Sequence, residues 1–204
     1  NVGTNYGSFS AELQAGAKIV WDGLPGFAEW KAQWPSWYWR EGLTTYKGQV
    51  YAIPITTYNA RLIYNKGLFR EAGLDPDAPP ETYSEMREYA RKTKEATDKY
   101  GIAWPGAENW MNEWMPSQFA EASGVPAYWD WSTGKWEFSN VAPLFQTILD
   151  AKEDGSLFPG VTSLTNDALR AQFAAGNIGM FFAVSWDVDV LNDQFPARCD
   201  WLCR

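Results

Sequence analysis

The stretch YKGQVYAIPITTYNARLIYNKGLF, residues 46 to 69, constrains this chain more than any other. Two strand-like runs, Val50 to Ile55 and Arg61 to Tyr64, flank the polar Thr57-Tyr58-Asn59, and a short helix starting at Lys66 follows. A strand, a polar hinge and a second strand in this order predict a chain that passes from one lobe into another, with a ligand cleft between the two.

Downstream, helical patterns alternate with short apolar runs. Lys66 to Ala72 reads as a helix stopped by Gly73. Thr82 and Glu85 form a capping-box pair ahead of a stripe of Met86, Tyr89, Ala90 and Thr93, with Gly101 as the expected stop. Leu144, Phe145, Ile148 and Leu149 predict an amphipathic helix ended by Gly155, and Thr165 to Ala175 another closed by Gly176. The apolar run Ile178 to Val184 is too short to cross a bilayer and predicts a buried strand. The alternation implies an α/β lobe with a mainly parallel sheet. In WDWSTGKWEF, residues 129 to 138, Thr-Gly-Lys between aromatic runs predicts a hairpin.

Residues 1 to 45 differ, with five tryptophans (21, 30, 34, 37 and 39), GLPG at 23 to 26 and an interrupting Pro35, so long regular elements are not expected. Trp34, Trp37, Tyr38 and Trp39 read either as packing or as a sugar platform, with packing favoured. Arg61 and Lys66 read as surface or strand-edge cations ahead of an anion-binding role.

Composition narrows the chemistry. Seventeen basic and 25 acidic residues give a net charge of −8 without a basic block, which argues against nucleic acid or an anionic membrane as partner. The chain has no histidine, which removes the commonest general base and transition-metal ligand. Cys199 and Cys203 cannot complete a tetrahedral zinc site alone, and a local disulfide and free thiols are both open. No cofactor, metal or catalytic residue is expected. Thirteen Trp, ten Tyr and eleven Phe alongside many carboxylates and amides suit a carbohydrate, whose C–H faces stack on rings while its hydroxyls take polar partners. Asn1-Val2-Gly3 has neither an initiator Met nor a signal-like run, so the chain reads as a processed or trimmed piece.

Residues 46 to 69 resemble the extracellular solute-binding proteins of ABC importers, family 1, the maltose-binding-protein-like group. The likeness continues through EAGLDPDAPPETYSEMREYARKTKEATDKYGI, with Tyr83 where Trp is usual, then KWEFSNVAPLFQTILDAKEDGSLFPG and LRAQFAAGNIGMFFAVSW. The ordered series covers about residues 46 to 190. It implies a periplasmic-binding-protein type II fold in a protein about twice this long, with one lobe largely present and part of the other. Residues 1–57 would end the first lobe I segment with its hinge strand, and 58–204 would form lobe II without its C-terminal return. The implied function is non-catalytic binding of a mono- or oligosaccharide, delivered to the membrane subunits of an ABC permease. The implied location is extracellular or periplasmic, with lipid anchoring of the full-length protein and no membrane insertion of this segment. Two other classes stay open: the carbohydrate-binding part of a polysaccharide-active enzyme, and a sensory ligand-binding domain.

The resemblance also nominates residues. Trp186, between a strand and a helix beginning at Asp187, stands at the carboxyl end of a strand, where α/β sheets place ligands. Family members stack a Trp of this motif on sugar; the alternative is a core Trp capping the sheet. Asp187 reads as a favourable charge at a helix start or as a hydroxyl partner, and Asp189 less so. In WPGAENWMNEW, residues 104 to 114, Glu108 and Trp110 take the positions of a carboxylate and an aromatic that contact sugar, with Asn109, Asn112 and Glu113 as competitors. Tyr58 and Asn59 at the hinge border the expected cleft. Tyr58 stands where maltose-binding protein has a carboxylate, which argues against maltose itself.

Overall fold

The computed structural model describes residues 9–53, 59–125, 127–130, 133–196 and 200–203, with the side chains of 9–11, 202 and 203 left aside. The chain divides into two compact units, Asn1–Thr57 and Tyr58–Arg204.

The first unit is built from short pieces: α1 (Phe9–Gln14), α2 (Phe27–Lys31), a 3-10 turn (Ser36–Tyr38) and the two-residue strands β1 (Thr45–Tyr46) and β2 (Gln49–Val50). Its tryptophans pack on one another. Phe27, 6% exposed, has Trp21, Trp30 and Trp39 around it at centroid distances of 5.9, 5.6 and 6.3 Å. Trp34 bridges Trp30 and Tyr38. The favoured packing reading agrees with these contacts, although Trp37 remains 59% exposed while stacking on Tyr38. The amides of Trp21 and Val50 tie the cluster to β2, donating to the Val50 carbonyl and the Asp22 carboxylate respectively.

The second unit runs β3 (Ala60–Asn65), α3 (Lys66–Glu71), α4 (Tyr83–Thr97), β4 (Tyr100–Ala103), α5 (Asn109–Ala122), β5 (Trp129–Asp130), β6 (Lys135–Trp136), α6 (Ala142–Glu153), α7 (Asn166–Ala174), β7 (Ile178–Val184), α8 (Asp187–Asp193) and β8 (Trp201–Cys203). Four strands form one sheet in the order β4-β7-β3-β8. The expected mainly parallel sheet is corrected here. Only β4 and β7 run parallel, while β3 is antiparallel to both neighbours. The reason lies in where β3 enters: Ala60, its first residue, pairs with Val184, the last of β7, so β3 must run away from the edge at which β7 ends.

All seven residues of β7 are buried, as befits a central strand covered on both faces. Alternation divides its side chains between two cores. Met180, Phe182 and Val184 join Tyr64, Ile102 and the residues of α3 to α6, whereas Phe181 and Ala183 join Ile63 and the inner faces of α7 and α8. Each fully buried large apolar side chain contributes roughly 1.5–3 kcal/mol.

The local signals mostly fold as expected. Thr82 and Glu85 make both bonds of the capping box, and Asn65 and Thr165 cap α3 and α7. β5 and β6 form the hairpin, with Gly134 at φ 66°. Three expectations change. Of the strand read from Val50 to Ile55, only Val50 among the described residues lies in a strand, β2, and residues 51–53 are irregular. α4 ends one turn before Gly101, with Asp98 in the left-handed region at φ 60°. Gly101 instead lies in β4, where an added Cβ would stand 2.1 Å from the Ala90 carbonyl oxygen. On α6, Thr147 and Ala151 are buried and Leu149 is 52% exposed, so the inner face is rotated from the predicted stripe. Cys199 and the Cys203 side chain lie outside the described residues, as do Thr57 and Tyr58.

Candidate functional site

The parallel pair β4 and β7 ends at one edge of the sheet, and the antiparallel β3 begins there. Three loops from distant parts of the sequence meet at this edge. β7 gives way to Ser185 and Trp186, and the Ser185 amide donates to the Asn59 carbonyl at 3.1 Å. Asn59, itself exposed, is thereby fixed beside the turn that carries Trp186.

After β4, Trp104 is 2% exposed and its indole N–H donates to Asn112 Oδ1 at 2.8 Å, while Asn112 Nδ2 donates to the Gly106 carbonyl at 3.0 Å. These two bonds fold the loop onto the first turn of α5. They also occupy both ends of the Asn112 amide, which serves the loop. Gly106 is required, since a Cβ there would lie 2.8 Å from the Val161 carbonyl oxygen. Glu108 precedes α5 without capping it, and its Oε1 accepts from the Asn166 amide at 3.2 Å, linking this loop to the start of α7.

The first turn of α5 then places the Trp110 ring 6.2 Å from the Trp186 ring, tilted by 45°. Trp114, one turn further on, stands 6.2 Å from Trp110. Trp186 is 36% exposed, and Trp110 is half-buried. Trp186, Trp110, Glu108 and Asn59 therefore share one edge, although up to 127 positions separate them in sequence. The result is an aromatic surface with a carboxylate and an amide at its margin.

Asp187 takes a different position from the one expected. It is 4% exposed; its Oδ1 accepts from Arg170 Nε at 2.8 Å and from a terminal guanidinium nitrogen, and its Oδ2 from the Val184 amide at 2.8 Å. Facing inward to satisfy these donors, it fixes the turn before α8 and so the presentation of Trp186. Arg170 also binds Asp167 at 2.8 Å. Of the other candidates, Asn109 and Glu113 are exposed on α5. Arg61 is exposed and donates to the Ala60 carbonyl, and Lys66 pairs with Asp77 at 2.6 Å.

Sequence reasoning missed Trp114 and Arg170. The four-residue spacing of Trp110 and Trp114 on a helix was the available signal for the first. Arg170 had none, because its partner lies on a different element. Among the described residues no group of three metal-ligating side chains occurs, and no helix is long and apolar enough to cross a membrane.

The sequence profile of the bacterial extracellular solute-binding proteins matches residues 14–198. The chain belongs to this family. Among solved structures, this solute-binding protein is similar to a family 1 extracellular solute-binding protein from Bifidobacterium longum subsp. infantis, with TM-score 0.70 and 19% identity over 96% of this chain and 49% of that one. It is also similar to UgpB from Mycobacterium tuberculosis in complex with glycerophosphocholine, with TM-score 0.69 and 20% identity over 95% and 48% of the respective chains. Maltose-bound MalE3 from T. maritima matches with TM-score 0.61 and 22% identity over 79% and 41%. These matches show the mixed α/β periplasmic-binding-protein type II fold. In sequence, 79 residues are 33% identical to the sn-glycerol-3-phosphate-binding periplasmic protein UgpB of Shigella dysenteriae serotype 1, covering 39% of this chain and 17% of that protein. The chain thus matches about half the length of these two longer-matching structures and less of the curated relatives.

Proposed function

We propose that this solute-binding protein is the extracellular ligand-binding component of an ABC importer and takes a mono- or oligosaccharide. The observation that carries this is the convergence of Trp110 and Trp186 at the carboxyl edge of β4 and β7. Two large rings at such an edge stack on the C–H faces of a sugar, while Glu108 and the Asn59 side chain take hydroxyls. Each buried polar group left unpaired by a missing hydroxyl costs about 1–3 kcal/mol, which gives the site its selectivity. In this reading residues 1–57 belong to lobe I and 58–204 to lobe II. Ligand shifts the population toward a closed form that docks on the membrane subunits, without bond-breaking. The parent protein acts outside the cytoplasmic membrane, either free or held by a lipid anchor.

The engagement of Asp187 supports binding over hydrolysis, because its commitment to Arg170 removes it as a second carboxylate beside Glu108. A second ligand class, a glycerophosphate, draws support from the stretch shared with UgpB. The edge disfavours it, because Arg170 is taken up by Asp187 and Asp167.

The test is calorimetric titration of the full-length protein with mono- and oligosaccharides, sn-glycerol-3-phosphate, glycerophosphocholine, polyamines and amino acids, repeated with Trp186→Ala. Saturable binding of one sugar class without turnover, weakened at least tenfold in the variant, is expected; a loss of this size is about 1.4 kcal/mol. Sugar binding indifferent to Trp186 moves the site elsewhere. Selective binding of a phosphodiester, polyamine or amino acid overturns the carbohydrate assignment.

A further inference from the structure

One turn along α5 from Trp110, an open groove of about 810 Å³ lies between α5, the β5–β6 hairpin and the start of α6. Two rings of the hairpin strand and the residues after it dominate one wall. Trp136 and Phe138 are 66% and 57% exposed, stand 5.8 Å apart and are parallel to within 7°. Two apart on an extended segment, they project to the same side. Each is braced from beneath: Trp129 meets Trp136 edge-on at 5.2 Å, and Tyr128 lies 5.9 Å from Phe138. Tyr128 is itself tied to α5 through its hydroxyl, which donates to the Asn112 carbonyl at 3.2 Å. The opposite wall is Phe145 and the exposed Leu149 of α6, and the rim carries Glu113 and Gln146. Burial, with a smaller contribution from the Glu113 charge, pushes the Tyr128 phenol up.

Solvent-facing parallel rings that carry no core load, an apolar wall and a carboxylate at the rim match the two kinds of surface on a pyranose. Glu113 stands three positions after Trp110, a spacing that puts neighbouring side chains about 5–6 Å apart on a helix. The groove therefore opens beside the aromatic edge already described. We propose that it is a second carbohydrate subsite, which takes the units of a linear oligosaccharide that extend past the Trp110–Trp186 pair. It makes the protein a selector of chain length, and it rests on the carbohydrate reading of the first site.

The experiment titrates the full-length protein with linear α-1,4- and β-1,4-glucans of one to six units, using wild type, Trp136→Ala with Phe138→Ala, Leu149→Glu and Trp186→Ala. For one of the two linkages, wild-type affinity is expected to rise with length. The double variant removes that gain, about tenfold for the longest glucans, and leaves the shortest bound glucan unchanged. Leu149→Glu, a surface change on the other wall, does the same without touching the hairpin. Trp186→Ala weakens every length. Affinity that rises with length but ignores both groove variants, or that does not rise with length, overturns the subsite and leaves the first site standing. Absence of glucan binding at every length overturns the subsite. If the panel of sugars above also fails to bind, the functional reading falls separately. Self-association of the wild type that both groove variants abolish assigns the groove to a second copy of the chain and overturns the proposal.

Discussion

A single guanidinium holds the turn that presents Trp186. Arg170 and Asp187 are 12% and 5% exposed at the side chain, and Asp187 also receives the Val184 amide. Removing Arg170 leaves a buried carboxylate without its cation, which costs about 3–5 kcal/mol. We expect Arg170→Ala to lower the unfolding free energy of the second unit by this amount, read as a lower denaturant midpoint, and to weaken sugar binding as well. Trp186→Ala should weaken binding while leaving the Arg170–Asp187 pair in place. The two variants thus separate a positioning residue from a contact residue. If Arg170→Ala unfolds at the wild-type midpoint, the ion pair is not what holds this turn.

The helices show where local chemistry is enough and where packing overrules it. α4 begins where Thr82 and Glu85 say it should, because a capping box satisfies backbone donors within three residues. Its end was misplaced. Asp98 closes the helix at φ 60°, a conformation that glycine adopts without strain. Gly101 serves the approach of α4 to the sheet, as does Gly179, whose added Cβ would lie 3.2 Å from Thr93 Cγ2 on α4. Asp98→Gly should therefore stabilise the protein by about 1 kcal/mol, visible as a rise of about 2–4 °C in melting temperature. An unchanged or lowered melting temperature would show that the aspartate is favoured there. The rotated face of α6 has the same kind of origin: Thr147 is tolerated inside because its hydroxyl donates to the Pro143 carbonyl at 2.8 Å, while Leu149 is left on the groove.

For the whole molecule, the lack of histidine sets the response to pH. No ordinary side chain titrates between about pH 5.5 and 7.5, so stability should be flat there. Below this range the carboxylates decide. The Val50 amide, helped by Lys31, holds the Asp22 carboxyl below its usual range, and the Glu81 and Thr82 amides do so for Glu85, in both cases against a smaller opposing effect of burial. A carboxyl whose folded pKa is depressed contributes stability above its unfolded pKa and loses it as pH falls toward the folded one. Melting temperatures should accordingly hold level from about pH 5.5 to 7.5 and fall below about pH 4. A maximum within the neutral range would contradict this.

Much of the plan was readable in the residues themselves. The strand Arg61 to Tyr64, the capped helices, the central strand Ile178 to Val184 and the hairpin all rest on interactions a few positions apart. Those local interactions, with the ordered motifs, also carried the family. Trp186 and Trp110 could be nominated one at a time from their places beside strand ends. Other features required the folded chain: the antiparallel entry of β3, the inward turn of Asp187 toward Arg170, the 6.2 Å approach of Trp110 to Trp186 and the groove beside them. Each of these joins groups on different elements, and their distance is set by how helices and sheet pack together. Local propensity acts over a turn or two of chain and does not encode such distances, so only the tertiary structure decided them.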